Sequence, residues 1–135
     1  VIVVDAGVWA TALIDAGPTG DACRAALSRD DAWTAPEHAA LETLRTIRRF
    51  EFAGVLDATQ ADEHARAVAD FSIRYVGAEP WVLTEVWRLR HTVSPYDAPY
   101  VALALAMGAP LVTLDKRLGR AAEVLGVTAL VPTSA

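Results

Sequence analysis

Between Asp97 and Asp115 the chain reads APYVALALAMGAPLVTL, without one charged side chain. A stretch of this kind is driven into a core, because each fully buried aliphatic side chain contributes about 1.5–3 kcal/mol on leaving water. Ionised carboxylates resist the same transfer. The stretch reads as a buried helix followed by a buried strand, broken at Gly108 and Pro110. Its two aspartates must then lie where the core meets solvent. The run falls short of the roughly 20 apolar residues that a membrane span needs, so no transmembrane segment is expected.

The rest of the chain supplies partners for such a core. Val1 to Val4 is a continuous β-branched run, the mark of a strand buried on both faces, and it stops at Asp5. A helix follows through Ile14, Gly17 to Gly20 reads as a loop, and Asp21 caps a short helix ending at Leu27. Ala32 to Ala35 is a second strand, ended by Pro36. Glu37 to Phe50 is an amphipathic helix with Ala40, Leu41, Leu44 and Ile47 on its apolar side. Further along come a helix over Ala61 to Phe71, a strand over Ile73 to Val76 and a helix from Pro80 to about Arg90. The strand Leu111 to Leu114, a helix from Lys116 to Leu125 ended by Gly126, and the strand Val127 to Val131 complete the order. Short apolar strands alternating with helices point to an α/β fold, a parallel sheet covered on both faces.

At 135 residues, 53% hydrophobic and 21% charged, the expectation is one domain over residues 1–135. VIVVD has no basic segment ahead of it, so it does not read as a signal peptide, and a cytoplasmic location is the default. The single cysteine, Cys23, reads as helix packing, which agrees with a reducing compartment. A net charge of −5 argues against whole-surface attraction to nucleic acid and leaves room only for local basic patches.

In a parallel sheet, Asp5 and Asp115 both follow strands and so share its carboxyl edge, where open α/β sheets place their sites. Asp97 lies at the mouth of the long apolar helix, capped either by Ser94 or by Asp97 itself. Glu42 borders the apolar side of its own helix. Each acid alone reads as a cap or an ion-pair partner, with Arg45 or Arg49 for Glu42. Together they need a countercharge, since two carboxylates about 4 Å apart repel by roughly 4 kcal/mol at an effective dielectric of 20. An all-oxygen donor set without clustered Cys or His selects Mg²⁺ or Mn²⁺.

The segments VIVVDAGVWATAL, PEHAALETLRTIRR, YDAPYVALALA and LVTLDKRL, in this order and spacing, resemble the PIN-domain ribonucleases, specifically the VapC-type toxins of bacterial toxin–antitoxin pairs. The resemblance implies a single domain with a five-stranded parallel sheet and a Mg²⁺- or Mn²⁺-dependent endoribonuclease. It maps the acidic site onto Asp5, Glu42, Asp97 and Asp115, with Asp5, Asp97 and Asp115 on the metal and Glu42 holding a metal water or a second ion. It matches Thr113 to a family position, and Thr113, Lys116, Arg117, Arg120 and Arg45 are the candidates for binding RNA. It implies an antitoxin that covers the acidic edge with a basic side chain, anchored on the helical segments Asp21 to Leu27 and Glu37 to Phe50 and on Phe52, or a homodimer over the same surface. One departure stands out: the family usually has a hydroxyl or amide residue two after the first aspartate, and this chain has Gly7.

A rival from another class is a phosphoacceptor receiver-like domain, which VIVVD also resembles. That class needs a second acid beside Asp5, where Ala6 stands, and a late Lys-Pro pair, which is absent. A dehalogenase-type phosphatase requires an aspartate at Gly7. A catalytically silent PIN fold used for binding is the third alternative. His38 and Glu42, at i, i+4, have a spacing that can share a metal, but His38 reads first as a helix-start residue that caps or packs; His64 and His91 read as surface residues, and Trp33 as buried in its strand.

Overall fold

The computed structural model describes residues 1–133; the last two positions of the expected domain, Ser134 and Ala135, lie outside the described residues. Five parallel strands form one sheet: β1 (Ile2–Val4), β2 (Trp33–Pro36), β3 (Arg74–Val76), β4 (Leu111–Val112) and β5 (Ala129–Leu130), in the order β3-β2-β1-β4-β5. The helices are α1 (Ala6–Ile14), α2 (Pro18–Leu27), α3 (His38–Phe52), α4 (Ala58–Asp70), α5 (Pro80–Arg88), α6 (Ala98–Met107) and α7 (Lys116–Val124).

Strand alternation divides the core in two. Val3 faces one side of the sheet with Ala35, Leu111 and the α6 residues Tyr100, Val101 and Leu103. Ile2 and Val4 face the other, with Val8 and Trp9 of α1, Cys23 and Leu27 of α2, and Val68 of α4. The apolar run of the sequence is α6 plus β4, and Ala98 to Ala104 is buried without interruption. Truncating Leu103, which is fully buried, to alanine is expected to cost about 2–5 kcal/mol. The left-handed Gly108 ends α6 and lets the chain turn into β4.

Several expectations are corrected. Gly17 to Gly20 is not all loop: Pro18 opens α2 at its first position, where a missing N–H costs nothing, and Gly20 lies inside the helix at a point where a Cβ would collide with the Asp15 carbonyl oxygen. Pro36 belongs to β2, in register with Val76. The fourth helix starts at Ala58 rather than Ala61, since Asp57 and Gln60 form a reciprocal capping box. The apolar side of α3 is Ala39, Thr43 and Ile47, while Leu41 is 69% exposed. Trp33 is only half-buried, stacked on Phe71 with its indole N–H shared between the Leu27 and Asp30 carbonyls.

The strand order fixes where the site can form. Chain leaving β1 crosses to β2 on one side, whereas chain leaving β4 crosses to β5 on the other, so the connections diverge between β1 and β4. That divergence opens a crevice at the carboxyl ends of these two neighbours.

Candidate active site

Asp5 stands at the carboxyl end of β1, where its backbone N–H still donates to the Val112 carbonyl of β4. It occupies the cap position of α1 without spending its carboxylate on the helix. Across the crevice, the Thr113 hydroxyl donates to Asp5 Oδ2 at 2.7 Å and accepts from the Asp115 N–H at 3.0 Å. One side chain thereby ties the two strand ends together. Thr113 is fully buried, which corrects its placement among the RNA-binding candidates: it positions Asp5 and Asp115.

Asp97 is delivered differently. Ser94 takes the capping duty, its Oγ and its carbonyl oxygen both accepting from the Asp97 N–H, so the Asp97 carboxylate makes no cap bond at the mouth of α6. Asp115 is the reverse case. It caps α7, with Oδ1 accepting from the N–H groups of Arg117 and Leu118, and the residue is exposed. Glu42 pairs with neither Arg45 nor Arg49; its Oε1 lies 3.1 Å from His38 Nε2. The same nitrogen is 3.0 Å from the Tyr96 carbonyl oxygen. Both neighbours are acceptors, so Nε2 carries a hydrogen and the imidazole ties α3 to the turn that presents Asp97.

These placements show in the ionisation of the acids. Burial pushes the Asp5 carboxyl above its ordinary value; the Thr113 hydrogen bond opposes that, and the charges of Asp97 and then Asp115 add to it. Glu42 is also raised, first by burial; His38 opposes that, and Asp5 and Asp97 add to it, with Arg45 lowering it. Asp97 and Asp115 thus lie close enough to bear on the ionisation of Asp5, and Asp5 and Asp97 on that of Glu42, although among the described residues no three His, Cys, Asp or Glu side chains close into a ready-made metal cage. The donor set fits a hard divalent ion, because Mg²⁺ takes one or two carboxylates and fills its shell with water and phosphate oxygens. Asp5, Asp97 and Asp115 would hold it.

The sequence matches the PIN domain family over residues 2–124. The chain belongs to the PIN-domain family. Among its relatives, Ribonuclease VapC1 of Mycobacterium tuberculosis is 36% identical over 124 residues, 88% of this chain and 89% of the relative. Ribonuclease VapC3 of the same species is 33% identical over 120 residues, 89% of this chain and 86% of the relative. The PIN fold itself is matched by the crystal structure of FitAcB from Neisseria gonorrhoeae, with a TM-score of 0.72 at 16% identity over 98% of both chains. Mycobacterium tuberculosis VapC20, described as a sarcin-ricin loop cleaving toxin, has a TM-score of 0.69 at 16% identity, covering 98% of this chain and 100% of its own.

Within this PIN domain the basic candidates divide. Arg45, Lys116, Arg117 and Arg120 are all exposed. Arg45 is close enough to lower the Glu42 ionisation, whereas Lys116 and Arg120 border a groove of about 570 Å³ between α7 and β5 that none of the four acids lines. Gly7 lies exposed in the first turn of α1, and a side chain there would meet nothing within 4 Å. Sequence reasoning missed two contacts. Asp115 as a cap was signalled by the Asp-Lys-Arg-Leu start of a helix, but the bond from His38 to the Tyr96 carbonyl spans 58 positions and has no local signal.

Proposed function

We propose that this PIN domain is a Mg²⁺- or Mn²⁺-dependent endoribonuclease acting as the toxin of a toxin–antitoxin pair. The observation that carries the reading is the Thr113–Asp5 contact joining the carboxyl ends of β1 and β4, where a half-buried Asp5 lies under the charge of Asp97 and Asp115. Such an arrangement is unfavourable by itself and favourable around a cation. The VapC ribonucleases named above support RNA as the substrate class.

A divalent ion held by Asp5, Asp97 and Asp115 supplies positive charge and Lewis acidity toward a phosphodiester. The protein does the rest. Thr113 fixes the Asp5 carboxylate and the Asp115 backbone in one register, and Ser94 leaves Asp97 free to face the crevice. Glu42, steadied by His38, accepts hydrogen bonds from water at the same mouth. Arg45 stands beside it to meet an RNA phosphate, and Lys116, Arg117 and Arg120 offer further cations along α7.

A cognate antitoxin is the partner this reading requires. A basic side chain inserted among the acids neutralises them as the metal does, and blocks the site. The exposed Leu41 and Phe52 of α3 give such a partner apolar contacts, and a homodimer is the other use of that face. Among the described residues no helix is long and apolar enough to cross a membrane. The reading places the work in the cytoplasm, where its RNA is.

The test is digestion of a panel of structured RNAs in Mg²⁺, in Mn²⁺ and in EDTA, paired with co-expression of the small open reading frame beside the gene. Cleavage that needs the ion, growth arrest by the chain alone, and relief by the neighbour support the proposal. An inert chain, with no neighbouring product that binds, refutes it.

A further inference from the structure

Tyr100 lies one turn into α6 from Asp97. It is 1% exposed, and its hydroxyl is a buried polar atom with no hydrogen-bond partner among the described residues. Buried hydroxyls are almost always paired, because an unpaired one loses its hydration with nothing in return. Acidic charge bears on the Tyr100 oxygen: after burial, Asp5 and Glu42 and more weakly Asp97 raise its ionisation far above the ordinary phenol value. The Ala6 amide lies close enough to bear on that ionisation without completing a hydrogen bond. The ring is clamped as well, with His38 edge-on at 5.5 Å and 74°. Rotation about the ring axis leaves the oxygen where it is.

We propose that Tyr100 is a further member of the acidic site, whose hydroxyl binds a water molecule and holds it against the carboxylates. This deepens the nuclease reading and rests on it. An oxygen closed off in this way excludes a polymer phosphate, and a single buried water is the smallest partner that can pair with it. Carboxylates only accept hydrogen bonds, and a water can accept from the phenol while donating to two of them, which satisfies every group at once. The phenol stays protonated at working pH, so Tyr100 is a fixed donor rather than a base. It acts by positioning.

The test joins a crystal structure of the wild-type protein, at a resolution that shows ordered water, to kinetics of Tyr100→Phe. The expected structure has a water within hydrogen-bond distance of both Tyr100 Oη and an acidic oxygen. In the variant, kcat for RNA falls roughly 10- to 100-fold while KM is unchanged. Its melting temperature stays level or rises, because no bond within the protein is lost. A wild type that cleaves RNA and a variant with the same kcat overturn the proposal, as does a Tyr100 hydroxyl that is bare or bonded to a protein atom. A wild type that cleaves no RNA in any divalent ion overturns the nuclease reading instead. In that case, or if the variant does not fold, density at Oη decides: bridging water upholds the assignment of Tyr100 and its absence overturns it.

Discussion

The Thr113 hydroxyl donates a 2.7 Å hydrogen bond to Asp5 Oδ2 across 108 positions of sequence, and the same oxygen accepts from the Asp115 N–H. The contact closes the crevice between β1 and β4 from inside. Thr113→Val keeps the shape and removes the hydroxyl, leaving a half-buried carboxylate and an amide without their partner. Stability is expected to fall by about 1–3 kcal/mol in urea unfolding. Thr113→Ser retains the bond and loses a methyl group, so its cost stays within about 1.5 kcal/mol. Equal unfolding midpoints for Thr113→Val and wild type would show that the bond contributes nothing.

Asp5 carries a raised pKa, which means that its ionised form destabilises the folded chain when no cation is present. Asp5→Asn should therefore melt higher than wild type in EDTA at neutral pH. The sign follows from linkage: the penalty is full above the folded-state pKa and disappears as pH falls below the ordinary value of 3.8, where both forms are neutral. The gap between mutant and wild type should close on acidification. Added Mg²⁺ or Mn²⁺ should raise the wild-type melting temperature and leave the mutant's nearly unmoved. Melting curves that overlay at neutral pH would argue against a strained acidic crevice.

His38 joins Glu42 to the Tyr96 carbonyl, beside Asp97. The pair is 31% and 42% exposed, so its contribution to stability is small, under about 1 kcal/mol. Its effect should appear in the site. His38→Ala and Glu42→Gln are expected to slow RNA cleavage individually and to fall short of additivity when combined, because each disables the same contact. Strictly additive losses would mean that the two side chains act separately.

Gly7 has room for a side chain, meets nothing within 4 Å, and lies in the first turn of α1 next to Asp5. Gly7→Ser should add about 0.5 kcal/mol of stability through helix propensity. It also places a hydroxyl at the crevice mouth, and a faster cleavage rate is expected. A variant that is as stable as this and yet slower than wild type would contradict that reading of position 7.

The alternation of strands and helices was legible because β-branched runs and helical spacing are local signals, and the parallel sheet followed from them. The positions of Asp5 after β1 and of Asp97 at the mouth of α6 were legible for the same reason, each bounding an apolar run. What escaped was decided by tertiary contacts. Leu41 and Leu44 share a helical stripe with Ile47, yet α3 buries Ala39 and Thr43, because the close approach of neighbouring elements favours small residues. Pro18 read as a loop residue through its flanking glycines, although proline suits the first position of a helix. The Tyr100 hydroxyl and the two acceptors of His38 depend on which helix mouths meet above the sheet, and no spacing in the sequence records that.

The central claim is that the acids at the β1–β4 crevice form a divalent-metal nuclease site, and cleavage of RNA by wild type and Asp5→Asn, each in Mn²⁺ and in EDTA, tests it most directly. The account expects cleavage by wild type in Mn²⁺ alone, and a folded Asp5→Asn protein, checked by far-UV circular dichroism, at least about 100-fold slower in Mn²⁺ and inert in EDTA. Wild-type cleavage that persists in EDTA, or full activity in Asp5→Asn, would contradict it.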